Sequence, residues 1–263
     1  MLSYQHIYHA GNLADVHKHA LLASMLAYLT AKPKPLSYIE SHAGRGLYAL
    51  DAPEALKTGE AAQGIVRAQR LGWFAPTHPY ACALAATRAA HGPGAYPGSP
   101  LLAAALLRPI DSIRLAELHP REFVALRAAM APHGGIFQQI DGLQMALSCT
   151  PPTPRRGLLL IDPSYEVKAD YEALPPAIGQ IARKWNVGCV ALWYPLLASA
   201  AHRPMLTALQ RDHPDAMRHE VRFAPARAGH GMAGSGLFIV NPPWGIADEA
   251  RRLSSLFAAL PQA

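Results

Sequence analysis

Residues 157–161 read Gly-Leu-Leu-Leu-Ile and run directly into Asp162, Pro163, Ser164 and Tyr165. An apolar run without alternation is the pattern of a strand covered on both faces, as in a parallel sheet flanked by helices. Its abrupt end in acid, proline, any residue, aromatic suits work on an exocyclic amine. The N6 lone pair of adenine is delocalised into the ring, which makes the amine a poor nucleophile. The Asp162 carboxylate and the Pro163 carbonyl, side by side, can accept its two N–H bonds and return density to nitrogen. Tyr165 offers a ring for the base to stack on. The same four residues also read as a proline turn closing a core strand.

Further strands are expected at residues 36–40, 112–117, 136–141, 189–193, near 221–223 and at 237–240. Helical patterns separate most of them, notably residues 121–131 and 171–185. Before the first strand, Asn12 can cap a helix that places Asp15 in its first turn and runs to about Thr30, where Pro33 and Pro35 stop it. Alternating strands and helices predict an α/β, Rossmann-like fold, a mostly parallel sheet with helices on both faces. A βαβ unit needs only about 30 residues, yet the strands ending at Glu40 and starting at Ser112 lie much farther apart. Residues 50–95 therefore read as a small, surface-like helical insertion in the first crossover of one domain spanning 1–263, the crossover being completed by a helix over 100–107.

Of the 263 residues, 51% are apolar and 16% charged, which excludes a disordered chain. A net charge of +6 and a pI near 9.3 favour a polyanionic partner only mildly, because the basic pairs Arg155-Arg156, Arg183-Lys184 and Arg251-Arg252 are scattered and suit a solvated surface equally well. Cys82, Cys149 and Cys189 are odd in number and lack the CxxC spacing, so neither a disulfide framework nor a metal site is expected. The apolar stretch after His17-Lys18-His19 imitates a signal peptide, but it is too short to span a bilayer and Asp15 spoils its basic flank. A cytoplasmic protein with no membrane partner is expected.

After the first expected strand, Gly44 and Gly46 would let the backbone approach a nucleotide-like cofactor. Gly44-Arg45-Gly46-Leu47-Tyr48-Ala49 even matches the dinucleotide pattern GxGxxA. A NAD enzyme would place an acid about 20 residues on, at a strand end, and only Glu54 and Glu60 stand there, without strand character. The acid ending the second strand is Glu117, whose carboxylate could take both ribose hydroxyls of S-adenosylmethionine. Asp141-Gly142 ends the third and could hold an adenine edge. Each acid alone reads as a strand-end turn, but Glu117, Asp141 and Asp162 recur at three successive strand ends. Asn241-Pro242-Pro243-Trp244 fits the general amino-methyltransferase pattern better than residues 162–165 do. It follows the last strand, however, whereas the amine should sit beyond the fourth, so we read it as a turn closing the sheet.

With those residues in view, the chain resembles the RlmJ family, 23S rRNA adenine-2030 N6-methyltransferases. The most specific matches are Tyr4-Gln5-His6 with residues 9–19 (His-Ala-Gly-Asn-Leu-Ala-Asp-Val-His-Lys-His) and Tyr96-Pro97-Gly98-Ser99-Pro100. Others are residues 42–46, 117–120, 162–165, 191–195 and 241–244, in the family's order over nearly the whole chain. The resemblance implies S-adenosylmethionine contacts from His19, His42, Ser99, Glu117, Asp141, Gly142 and Asp162, to which the glycine loop adds Gly44. It also implies Asp162 as catalytic acceptor, with Tyr4, His6 and Lys18 near the RNA. Ser164 stands where the family has a second proline, and Glu40 and Arg45 replace an aspartate and an alanine.

The expected activity is methylation of adenine N6 in large-subunit rRNA, the base being flipped into a pocket between the N-terminal segment and the strand ends. Asp162 and Pro163 orient the amine and Tyr165 stacks, while Trp193-Tyr194 and a glycine-rich loop at 229–236 are candidates to line the base pocket. The protein is expected as a monomer with 23S rRNA as partner and no metal. The rivals are a DNA adenine methyltransferase and a non-catalytic nucleic-acid-binding protein that kept the fold.

Overall fold

The computed structural model describes residues 4–225 and 231–261. In chain order its elements begin with α1 Leu13–Thr30, β1 Ser37–Glu40 and β2 Leu47–Ala49, then α2 Pro53–Thr58, α3 Glu60–Gln63, α4 Ile65–Arg70 and α5 Pro79–His91. There follow β3 Ala95–Pro97, α6 Ser99–Leu106, β4 Ser112–Ala116, α7 Pro120–Met130, β5 Ile136–Gln138 and α8 Gly142–Cys149. The chain continues through β6 Gly157–Ile161, α9 Asp170–Lys184, β7 Cys189–Leu197, α10 His202–Asp212, β8 Met217–Arg222, β9 Met232–Val240 and α11 Ile246–Ala258.

Among the described residues, seven strands form one sheet in the order β5-β4-β1-β6-β7-β9-β8. β1 pairs in parallel with β4 and β6, β4 with β5, and β6 with β7. Only β9 runs the other way, antiparallel to both β7 and β8. This is the expected doubly wound α/β sheet.

The strand patterns follow from burial on two faces. Leu158, Leu160, Ala191 and Ile239 enter the core shared with α1, α6 and α11, while Leu159, Ile161, Leu192 and Phe238 enter the core under α8, α9 and α10. Side chains alternate across a strand, so a run buried on both faces must be apolar at every position. Asn12 caps α1 as expected, its side-chain oxygen accepting from the Asp15 N–H at 2.9 Å.

Two expectations change. β9 begins at Met232, so most of the loop read at 229–236 is strand, and residues 229–230 lie outside the described residues. Gly234 and Gly236 serve packing: a Cβ on Gly236 would come within 2.2 Å of the Tyr194 ring, and one on Gly234 within 2.4 Å of the Val221 carbonyl oxygen, while Gly231 and Met232 line the cavity at the strand ends. Residues 50–95 hold α2 to α5, yet they are more than surface helices, because Ile65, Tyr80, Ala83 and Leu84 are buried. Their apolar side covers α1, which is buried on nearly its whole circumference and so needs a second cover besides the sheet.

Candidate active site

A cavity of about 550 Å³ opens where β1, β4, β5 and β6 end, within the size range of small-molecule sites. The residues put forward from the sequence as catalytic, cofactor-binding or substrate-binding line it, except Tyr194, which is buried in the core under α9 and α10 with its hydroxyl on Glu220. The strand ends contribute His42 and Gly44 after β1, Glu117 after β4, Asp141 and Gly142 after β5, and Asp162, Pro163 and Tyr165 after β6. Helices α1 and α6 add Lys18, His19 and Ser99, the N-terminal segment adds Tyr4 and His6, and β7 adds Trp193.

Glu117 is held from both sides. Its Oε2 accepts the Gly44 N–H at 2.8 Å and its Oε1 the His119 N–H at 2.7 Å. Burial pushes the carboxyl above its ordinary value against those two N–H bonds. Each oxygen keeps a lone pair for a ligand hydroxyl. Gly44 and Gly46 have φ of 61° and 77°, a left-handed pair that lets the loop fold over the strand end. Arg45 between them turns outward to a two-pronged pair with Glu122 on α7, at 2.6 and 2.9 Å, so its charge anchors the loop. Asp141 caps α8 by accepting the Gln144 N–H at 2.8 Å. His42 shares a hydrogen with Ser41 at 2.8 Å, and burial lowers its pKa. The Ser99 hydroxyl donates to Glu40 Oε1, whose other oxygen accepts from Tyr38 at 2.8 Å. Buried in this way, the Glu40 carboxyl is pushed up to about 8.

At the other end, one hydrogen-bonded chain runs from the N-terminal segment to Asp162. Tyr4 Oη meets His6 Nδ1 at 2.8 Å, and His6 Nε2 meets Asp15 Oδ2 at 2.9 Å. Lys18 Nζ lies 3.2 Å from Asp15 Oδ1 and 2.6 Å from Asp162 Oδ2. Burial works against the Asp15 carboxylate, but His6 and Lys18 hold it well below the usual range. Burial alone would lower Lys18, yet Asp162 and Asp15 raise it above the ordinary lysine value. Lys18, expected near the RNA, is 4% exposed and neutralises two carboxylates, so packing requires its charge. The buried Asp15 and the half-buried Asp162 would repel without a cation between them. Tyr4, by contrast, is 39% exposed and its ring stacks on His9 at 5.7 Å.

Tyr165 has φ of 55°, and its hydroxyl donates to the Trp193 carbonyl at 2.7 Å, which fixes the ring against Tyr171 and Trp193. The Trp193 indole N–H donates to Ser235 at 2.9 Å, and Lys18 Nζ stands 5.7 Å from its ring centre. His17 links Ser235 to His219, a buried polar bridge between α1, β8 and β9. Asn241 lies at the opposite end of the sheet, since Val240 pairs with Val190 near the start of β7. Its amide donates to the Asn186 and Gly188 carbonyls, and Trp244 is 82% exposed. That segment closes the sheet.

Sequence reasoning missed Asp15 and Glu60 as parts of the site. Asp15 is visible in retrospect as the (i, i+3) partner of Lys18. Glu60, in the insertion, bonds His9 at 2.9 Å and the Asn12 amide at 3.0 Å, and so staples the N-terminal segment that walls the cavity. No local pattern announces it. Among the described residues, no group of three His, Cys, Asp or Glu is placed to hold a metal ion.

Comparison with known proteins gives one consistent family. Residues 33–260 match the family described as ribosomal RNA large subunit methyltransferase D, RlmJ. Over 252 residues the chain is 36% identical to ribosomal RNA large subunit methyltransferase J of Escherichia coli strain K12, covering 95% of this chain and 90% of that one. The protein of that name from Haemophilus influenzae is 35% identical over 261 residues, covering 96% and 92%. A crystal structure of a Legionella pneumophila protein superposes with a TM-score of 0.85 at 34% identity, covering 94% of this chain and 92% of that one.

Proposed function

The chain belongs to the RlmJ family of ribosomal RNA large subunit methyltransferases, and from that premise we propose that it transfers a methyl group from S-adenosylmethionine to adenine N6 in 23S rRNA, at the 2030-equivalent position. The observation that carries this reading is the single cavity in which the three strand-end acids and the N-terminal segment meet. We propose further that the protein acts as a cytoplasmic monomer.

The donor set fits the cofactor. Glu117 offers two oxygens to ribose hydroxyls, Asp141 and Gly142 flank a place for the adenine edge, and His19 Nε2 is a buried nitrogen with no protein partner. When bound, S-adenosylmethionine supplies an electrophilic methyl on a sulfonium centre.

The rest belongs to this chain's side chains. Asp162 keeps Oδ2 on Lys18, which leaves Oδ1 to accept one N–H of the target amine. The Pro163 carbonyl, with no N–H of its own to compete, accepts the other. Withdrawing both protons toward oxygen localises the lone pair on nitrogen for in-line attack, and holding the amine in that geometry supplies most of the rate. After transfer the nitrogen carries one proton too many, and Asp162 Oδ1, already accepting one of its hydrogens, receives it. Trp193 and the ring of Tyr165 frame the flipped base, with Tyr4 above it. Transfer of labelled methyl from S-adenosylmethionine to 23S rRNA isolated from a strain lacking this enzyme tests the proposal. Labelled N6-methyladenosine in that RNA is expected; label in duplex DNA instead, or in neither, overturns it.

A further inference from the structure

The insertion at 50–95 reaches the cofactor end of the cavity through three side chains. Tyr80, at the start of α5, places its oxygen 2.9 Å from that of Tyr96, and Tyr96 Oη lies 3.0 Å from His19 Nδ1. Tyr80 and Tyr96 are fully buried and His19 is 1% exposed. The His19 ring stacks on Tyr96 at 5.7 Å and meets Tyr80 edge-on at 5.9 Å. Its other nitrogen, Nε2, has no partner in the protein, and His19 lines the cavity beside Ser99 at the N-terminus of α6.

Counting protons decides how this row is wired. Three heteroatoms share two hydrogen bonds, and both hydroxyl protons are buried, where an unmet donor is costly. If Tyr96 donated to Tyr80, the Tyr80 proton would have no acceptor. If Tyr80 and His19 both donated to Tyr96, the Tyr96 proton would have none. Only one arrangement leaves no hydroxyl proton stranded: Tyr80 donates to Tyr96, and Tyr96 donates to His19 Nδ1, so that the one donor without a protein partner is the His19 Nε2–H at the cavity. An imidazole that accepts at Nδ1 carries its proton on Nε2 when neutral. Burial pushes His19 down to about 3, so the ring is neutral at physiological pH.

We propose that Tyr80 and Tyr96 are positioning residues that hold His19 as its Nε2–H tautomer, making the free nitrogen a ready donor to the carboxylate of the cofactor's amino-acid end. The reversed tautomer would turn a lone pair toward that carboxylate, beside a helix N-terminus whose partial charge also favours an anion. The inserted helix thereby acts on the cofactor without touching it. This rests on the reading of the cavity as an S-adenosylmethionine site.

The test combines a spectroscopic readout with two ligands. Nitrogen-15 NMR of the full-length, ligand-free protein at neutral pH reports which His19 nitrogen is protonated. Neutral His19 with Nε2–H is expected, with the Nδ1–H form becoming populated in Tyr96→Phe, which removes the hydroxyl that donates to Nδ1 and little volume. A wild-type spectrum showing Nδ1–H or a charged ring overturns the proposal, even if the variant fails to fold. Calorimetry then compares S-adenosylhomocysteine with 5′-methylthioadenosine, which keeps the nucleoside and lacks the amino-acid end. His19→Phe should weaken S-adenosylhomocysteine roughly tenfold, the scale of one hydrogen bond to a charged group. Tyr96→Phe should weaken it about two- to threefold through the reduced competent fraction. Both variants should leave 5′-methylthioadenosine unchanged. Equal losses for the two ligands, or none for either, refute the relay while the cofactor reading stands. Failure of both ligands to bind the wild type removes the cofactor reading and the relay with it.

Discussion

Lys18 Nζ sits 2.6 Å from Asp162 Oδ2, across 144 residues of sequence, and ties the strand end after β6 to the first helix. Because Lys18 also meets Asp15, the carboxylate proposed to act on the amine is fixed by a cation that packing holds in place. The pair explains why the N-terminal segment and the strand end after β6 form one site.

Asp162→Ala should abolish methyl transfer while leaving a folded protein, since Lys18 keeps Asp15 as a partner. Asp162→Asn should retain partial activity, because an amide oxygen still accepts one N–H. Single-turnover assays with labelled cofactor measure both, and turnover by the alanine variant at the wild-type rate would remove Asp162 from the mechanism.

Lys18→Ala should cost stability as well as activity, on the order of 3–5 kcal/mol, because it leaves the buried Asp15 and the half-buried Asp162 without their cation. Denaturant unfolding gives the loss. RNA affinity measured across a salt series should keep its slope, since a side chain buried on two acids releases no counterion from phosphate. A change of slope with unchanged stability would instead return Lys18 to the RNA surface.

Tyr4→Ala should lower turnover with little change in unfolding midpoint, as Tyr4 is partly exposed and packs mainly on His9. Comparing kcat on 23S rRNA with thermal stability separates substrate positioning from folding. Equal turnover of variant and wild type would detach this residue from the base pocket.

Glu117→Ala should weaken S-adenosylhomocysteine by roughly 1.5–3 kcal/mol, the scale of charge-assisted hydrogen bonds. Calorimetric titration measures this directly. Unchanged affinity would rule out the ribose contact.

Glu40 predicts a pH dependence of stability. Burial raises its carboxyl from 4.5 to about 8, so between those values the folded state keeps a proton that the unfolded chain releases. Stability therefore falls as pH rises through that window and levels off above it. Glu40→Gln should flatten this slope, read from denaturant midpoints at about pH 5 and about pH 8. A slope as steep as in the wild type would assign the dependence to other groups.

Much of this protein was written locally. A run such as residues 157–161 must be apolar at every position if both faces of β6 are covered, so strand, burial and sheet type follow together. Acids at successive strand ends, the Asn12 cap and the glycine pair at 44 and 46 are set by hydrogen bonds and backbone angles within a few residues, and these leave a mark in sequence. Other features depended on how distant elements meet. A lysine in an apolar helix looks the same in sequence whether it points to water or to a carboxylate 144 residues away, and only the seating of α1 against the sheet buried Lys18 beside Asp162. Helices α2 to α5 read as surface because each is short and mixed in composition. They became part of the core because α1 is buried on nearly its whole circumference, and its far side had to be covered by something. Local chemistry thus set which groups the site contains, and long-range packing decided which of them are paired, neutral or free to meet a ligand.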